Sequence, residues 1–224
     1  IRHTSTGART TGGSQITVMS VQQIVLASNN TGKVAEFNQL LKPLGVEVIP
    51  QGSLDIPACE EPFATFVENA LTKARHASRL SRRPALADDS GLCVDALQGQ
   101  PGIHSARFAI SASNPKPSDA DNNQHLLELL GSVSNRLAHF SATIVYISHS
   151  DDPEPLIASA QWHGEILRAP QGDAGFGYDP LFYIPALGKT AAELPIAEKN
   201  QHSHRAQALQ RLIQALEQRL TRHA

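Results

Sequence analysis

The chain has 224 residues, 41% of them hydrophobic, and a formal net charge of -2. That length suits one α/β domain or two small lobes over a shared core. The near-neutral charge gives no broad electrostatic footprint for nucleic acid. No apolar run approaches the roughly 20 residues a membrane helix needs.

Residues 1–18 are rich in Thr, Ser, Gly and Arg and have no apolar periodicity. They lack the apolar centre of a secretory signal and read as a disordered extension or an expression remnant, with Met19 close to the natural start. A mitochondrial transit peptide is the alternative, given Arg2, Arg9 and no acidic residue. Ile24 to Ala27 then form a short apolar run that predicts a buried strand. After the polar turn Ser28-Asn29-Asn30-Thr31-Gly32-Lys33, the spacing of Val34, Phe37, Leu40 and Leu41 predicts a helix ended by Pro43 to Gly45. Val46, Val48 and Ile49 predict a second strand. Strand, turn, helix and strand make a βαβ unit, which implies a partly parallel sheet.

An acidic connector runs from Asp55 to Pro62. A long helix is predicted beyond it, with Phe63, Phe66, Val67, Ala70, Ala74, Ala77 and Leu80 on one face. Residues 85–97 read as a strand around an Asp88-Asp89-Ser90 turn, followed by an irregular stretch over 98–114 and a helix over 119–131. Strands are predicted at 140–148 and 156–167, joined by Asp151-Asp152-Pro153. A last strand is read at 181–184, and the final helix carries Ala206, Leu209, Leu212, Ile213, Leu216 and Leu220. Cys59 and Cys93 have no metal-ligand spacing and read as buried free thiols of a reducing compartment.

Four groups of residues carry possible chemistry. The turn from Ser28 to Lys33 feeds a helix, whose free N–H groups and partial positive charge favour phosphate. Its plainer reading is a helix start capped by Asn30 or Thr31, and its spacing is not that of a Walker A loop. Asp88 and Asp89, set between apolar runs, suit a divalent cation, since paired carboxylates are costly inside a fold without compensation. An Asx-turn leaving the strand is the alternative. Glu60 and Glu61 could add carboxylate oxygens to such a site, or form a solvated loop. Phe176-Gly177-Tyr178-Asp179 follows Gly172 and Gly175. It could lay an aromatic ring on a planar base or form a tight turn. Ser203 can cap the last helix, which places His204 and Arg205 in its first turn. Cations oppose the helix dipole there, which hints at an anionic or polar ligand nearby.

In this order the motifs resemble the inosine triphosphate pyrophosphatase family. The resemblance is carried by Val25 to Lys33, Thr65 to Ala70, Ala87 to Leu92, Pro101 to Arg107, Phe176 to Pro180, Gly188 to Glu193 and Ser203 to Arg205. It spans about residues 22–216. It implies hydrolysis of non-standard purine nucleoside triphosphates (ITP, dITP, XTP) to the monophosphate and pyrophosphate. It implies an α/β fold with a twisted central mixed sheet flanked by helices, and an active-site cleft between two lobes. Residues 19–224 are then one such domain. By the same resemblance Ser28, Asn29, Asn30, Thr31, Gly32 and Lys33 would hold the triphosphate. Asp89 would be general base and Mg2+ ligand, with Asp88 beside it and Glu60 or Glu61 completing the metal site. Ser90, Phe176, Gly177, Tyr178, Asp179, Lys199, His204 and Arg205 would line the nucleotide pocket. A cytoplasmic homodimer with no nucleic-acid or membrane partner is implied as well. Ser28-Asn29 stands where many members have Thr-Gly, and His104 where Tyr is common.

Overall fold

The computed structural model describes residues 22–222, and the side chains of residues 23–218. The extension read in residues 1–18, the start read at Met19 and the side chain of Leu220 lie outside the described residues. The chain opens with β1 (Gln22–Leu26), α1 (Thr31–Leu41) and β2 (Val46–Pro50), and β2 runs parallel to β1. This is the βαβ unit that the apolar spacing predicts. Asn30 caps α1, its Oδ1 accepting from the Lys33 N–H at 3.0 Å. Pro43 opens a 3-10 turn after α1, and Gly45, at φ 68°, ends it in the left-handed region that glycine tolerates.

α2 (Phe66–Ser81) is capped by Thr65 and leads into β3 (Ala85–Val94). The predicted apolar face of α2 is corrected. Phe63 precedes the helix, and Phe63, Val67 and Leu80 are exposed, while Ala70, Ala74 and Ala77 are buried with Asn69, Lys73 and Ser78. The small alanines let α2 lie close on the sheet, which excludes the large side chains from that contact. β3 is corrected too. It is continuous through Asp88, Asp89 and Ser90, which pair with Ile144, Thr143 and Ala142 of the antiparallel β4 (Leu137–Ile147). Neither a strand end nor an Asx-turn forms there. α3 (Asp119–Leu130) precedes β4, and β5 (Leu156–Ile166), β6 (Phe182–Ile184) and β7 (Lys189–Thr190) follow it. A short α4 (Ile196–His202) precedes the final helix α5 (His204–Arg222).

The strands form one mixed sheet in the order β2-β1-β3-β4-β5-β6-β7. The ten- and eleven-residue strands β3 and β4 are long enough to serve two cores. Leu86 and Ile144 pack with Phe37 of α1 and Leu209 of α5 at one end. Leu92 and Phe140 pack with Leu126, Trp162 and Phe182 at the other. A third cluster lies under α2 on the opposite face, around Val25, Ala87 and Val145. Asp88 sits between the first two clusters on their face of β3, so the middle of this strand forms a floor between them, and Asp89 turns to the face of the third. Gly91 allows the chain after β3 to come close. A Cβ there would lie 2.2 Å from the Gly102 carbonyl oxygen and 2.6 Å from Ser105 Oγ.

Candidate active site

The floor of β3 opens into a cleft of about 400 Å³, within the size range of small-molecule sites. Of the residues that the sequence nominates, Ser28, Asn29, Asn30, Lys33, Glu61, Asp88, Ser90, Phe176, Gly177, Tyr178, Asp179, Lys199, His204 and Arg205 line it. Thr31, Gly32, Glu60 and Asp89 do not. Glu60 is exposed, whereas Glu61 turns inward to Lys73 at 3.0 Å, so only one of the two glutamates faces the site.

Alternation along a strand sends successive side chains to opposite faces, and it separates the two aspartates. Asp88 turns toward α1 and α5. Its Oδ2 meets Lys33 Nζ at 2.8 Å and Arg205 Nε at 3.1 Å. Burial alone would raise its pKa, but these two cations hold it far below the usual carboxylate range. Asp89 turns toward α2, where Lys73 Nζ donates to its Oδ1 at 2.8 Å. Burial raises the Asp89 pKa in spite of Lys73. Lys73 itself would be lowered by burial, and Asp89 and Glu61 together raise it. Each aspartate keeps one oxygen, Asp88 Oδ1 and Asp89 Oδ2, buried and without a hydrogen-bond partner. Such atoms are costly unless another group completes them.

Arg205 lies in the first turn of α5 with its guanidinium fully buried and shared among three partners. Nε donates to Asp88, Nη1 to Glu36 and Nη2 to Ser90 Oγ. Two carboxylates answer its charge, which removes the conflict with the helix dipole. His204 is neutral, because burial and the neighbouring Arg205 push its pKa well below 6.5. Its ring stacks on Phe140 with centroids 4.9 Å apart, and its Nδ1 is buried and unpartnered.

At the far end the loop over 175–179 is held from several sides. Asp179 Oδ2 accepts from the Phe176 N–H at 2.9 Å and from Lys199 Nζ at 2.6 Å. Asp119 Oδ2 accepts from the Gly177 N–H, and Asn123 donates to the Gly177 carbonyl. Tyr178 is core rather than platform. It is buried, and its hydroxyl donates to the Ser105 carbonyl at 2.9 Å. Phe176 is the half-exposed ring. Lys199 Nζ sits 5.0 Å and Arg205 Cζ 5.9 Å from its centroid. A Cβ on Gly32 would lie 3.3 Å from the Phe176 ring, so the phosphate turn and the aromatic loop touch.

The cleft therefore has a capped helix start with Lys33 at one end, Asp88 on its floor with Glu61 and Lys73 beside it, and a fixed aromatic ring at the other end. The Ham1 family model matches residues 24–215. The chain belongs to the Ham1 family. A relative from Ralstonia nicotianae, named dITP/XTP pyrophosphatase, is 62% identical over 88% of this chain and 97% of its own length. A protein of the same name from Burkholderia pseudomallei is 56% identical over 87% of this chain and 93% of its own. Among solved structures, a HAM1 protein from Coxiella burnetii superposes with a TM-score of 0.81 at 47% identity, covering 88% of this chain and 99% of that one. The Ham1 protein of Staphylococcus aureus gives 0.77 at 38% identity, covering 88% of this chain and all of that one.

Three charged residues of this Ham1 site are not singled out by motif. Glu36 stands one turn after Lys33 beside the core residue Phe37, and Lys73 stands among the alanines of the buried face of α2. In both places a charge interrupts an apolar stripe, which is the available signal. Asp119, at the start of α3, reads from sequence only as a helix-opening acid. Asn29, at the departure from Thr-Gly, also has a definite job. Its Oδ1 accepts from the Gly52 N–H at 2.8 Å and ties the phosphate turn to the segment after β2.

The neutral burial of His204 predicts an acid-sensitive fold. The unfolded chain takes up a proton at this residue near pH 6.5 and the folded chain does not. Its contribution to stability is therefore full above pH 6.5 and falls by about 1.4 kcal/mol per unit below it. Urea unfolding between pH 7.5 and 5 should show this slope, and a His204→Phe variant should flatten it.

Proposed function

We propose that this protein hydrolyses non-standard purine nucleoside triphosphates, with dITP, ITP and XTP as substrates, to the monophosphate and pyrophosphate. That activity removes them from the nucleotide pool before they are misincorporated into DNA and RNA. The observation that carries the reading is the join made by β3. Asp88 ties the phosphate turn to Arg205 on one face, and Asp89 presents a raised-pKa carboxylate on the other. The names of the Ham1 relatives supply the substrate class.

In this reading the turn from Ser28 to Lys33 holds the triphosphate. Lys33 offsets its charge electrostatically, and Asp88 fixes the position of Lys33. Asp89 takes the proton of the water that attacks the α-phosphorus, and burial makes it the stronger base. The unpartnered Asp89 Oδ2 and the inward Glu61 fit a hard divalent cation such as Mg2+, which needs few protein oxygens when phosphates and water complete its shell. Among the described residues no cluster of three such ligands occurs. The ion, when bound, would neutralise charge developing on the pyrophosphate leaving group. Phe176 offers a ring to the base. Lys199, His204 and the spare N–H groups of Arg205 lie beside it, within reach of a purine 6-carbonyl. A site built to donate there rejects an amino group by leaving its donors unpaired.

Among the described residues no helix is long and apolar enough to cross a membrane. The reading includes, on family resemblance alone, a homodimer working in the cytoplasm. The single sheet that serves both cores supports treating residues 19–224 as one two-lobed domain. Hydrolysis of ITP in 18O-labelled water tests the reaction. The label should appear in the monophosphate and not in the pyrophosphate, whereas release of orthophosphate alone would contradict the proposal.

A further inference from the structure

Lys73 is the cation nearest the proposed metal ligands. It is buried on the alanine face of α2, and its Nζ lies 2.8 Å from Asp89 Oδ1, 3.0 Å from Glu61 Oε1 and 3.0 Å from the Asp88 carbonyl oxygen. An ammonium has three donors, and here each has an oxygen. Lys73 and Glu61 line the cleft while Asp89 does not, so the ammonium stands between Asp89 and the open space.

We propose that Lys73 is a built-in substitute cation. It fills the charge site between Asp89 and Glu61 when no metal is present and confines divalent-cation binding to the metal–triphosphate complex. The inference deepens the proposed pyrophosphohydrolase reading and rests on it. Two bare carboxylates would attract a hard divalent ion by themselves. With Lys73 between them the position is occupied, and the two carboxylates are partly neutralised by Lys73 and by the more exposed Arg107, 3.9 Å from Glu61 Oε2. A free metal ion brings only water, so it would have to displace the ammonium from both carboxylates and leave it without an anionic partner. A metal–triphosphate complex brings its own anionic oxygens, which give the displaced ammonium a new partner in the same cleft. The flexible four-carbon stem of lysine allows that move. The ordinary alternative is a buried ion pair that only holds the fold together. That role predicts a loss of stability on substitution and no gain in metal affinity.

The test is titration of Mn2+, without nucleotide, into wild type and Lys73→Met, followed by calorimetry. The variant should bind Mn2+ at least about tenfold more tightly, and the added change Glu61→Gln should abolish the gain. Equal or weaker binding by a folded Lys73→Met overturns the inference. A second measurement needs no variant. Mn2+ at a concentration that supports full ITP turnover by the wild type should leave its Tm unchanged when nucleotide is absent, since a ligand that binds the native state raises Tm. A rise in Tm under those conditions overturns the substitute-cation role while the activity stands. Absence of ITP turnover by the wild type would instead overturn the functional reading beneath it.

Discussion

Asp89→Asn should lower kcat for ITP by about 10³-fold, within the range typical of a general base, while KM moves by no more than about threefold. The asparagine keeps the shape of the side chain, and its carbonyl can still accept from Lys73. What it loses is the ability to take a proton. In the proposed reading the substrate is held by the turn from Ser28 to Lys33 and the loop over 175–179, while Glu61, the phosphates and the asparagine oxygen still hold the metal, so binding should largely persist. Steady-state kinetics with ITP would measure both parameters. A large rise in KM with kcat intact would assign Asp89 to binding and remove it from the chemistry.

The largest effect on stability should come from Asp88→Asn. Asp88 is fully buried and pairs with Lys33 at 2.8 Å and Arg205 at 3.1 Å. Glu36 still answers Arg205 in the variant, but Lys33 is left beside a neutral amide. Breaking a buried pair from one side costs about 3–5 kcal/mol, because the remaining charge stays desolvated. The pH dependence has a definite sign. The native pKa of Asp88 is depressed, so its contribution is present above the unfolded value of 3.8 and is lost only as pH falls below it. Urea midpoints of wild type and Asp88→Asn should therefore differ widely at pH 7, and the gap should narrow steadily as pH falls below 3.8. An equal gap at both pH values would show that packing, not charge, accounts for the loss. The window is separate from that of His204, which opens near pH 6.5.

The two aspartates show what is legible in the sequence and what is not. Their adjacency between apolar runs marks the site, and the βαβ pattern before them gives the parallel pairing of β1 and β2 and the capped turn at the start of α1. Their division of labour depends on a strand that continues through them. Local chemistry at Asp-Asp-Ser-Gly favours a turn, yet continuous antiparallel pairing with β4 keeps the chain extended. The same competition moves the face of α2. Hydrophobicity nominates Phe63, Val67 and Leu80, but close approach to the sheet selects alanines and brings Lys73 inward with them. Glu36 belongs to this class as well. Its partner Arg205 is 169 positions away, so no local pattern joins them. Tyr178 shows what a motif leaves open: it lines the cleft, and its hydroxyl donates to the Ser105 carbonyl and so serves the fold as well.

The most direct test is pyrophosphate release by the purified protein with Mg2+, measured as kcat/KM for ITP, dITP and XTP against ATP and GTP. The donors around Phe176 predict efficient release from the first three and a value lower by at least about 10²-fold for ATP, whereas GTP carries the same 6-carbonyl and is not separated by them. Comparable values for ITP and ATP would contradict selection of the base by the donors around Phe176. No release from any of them would contradict the assignment of this cleft as a pyrophosphohydrolase site.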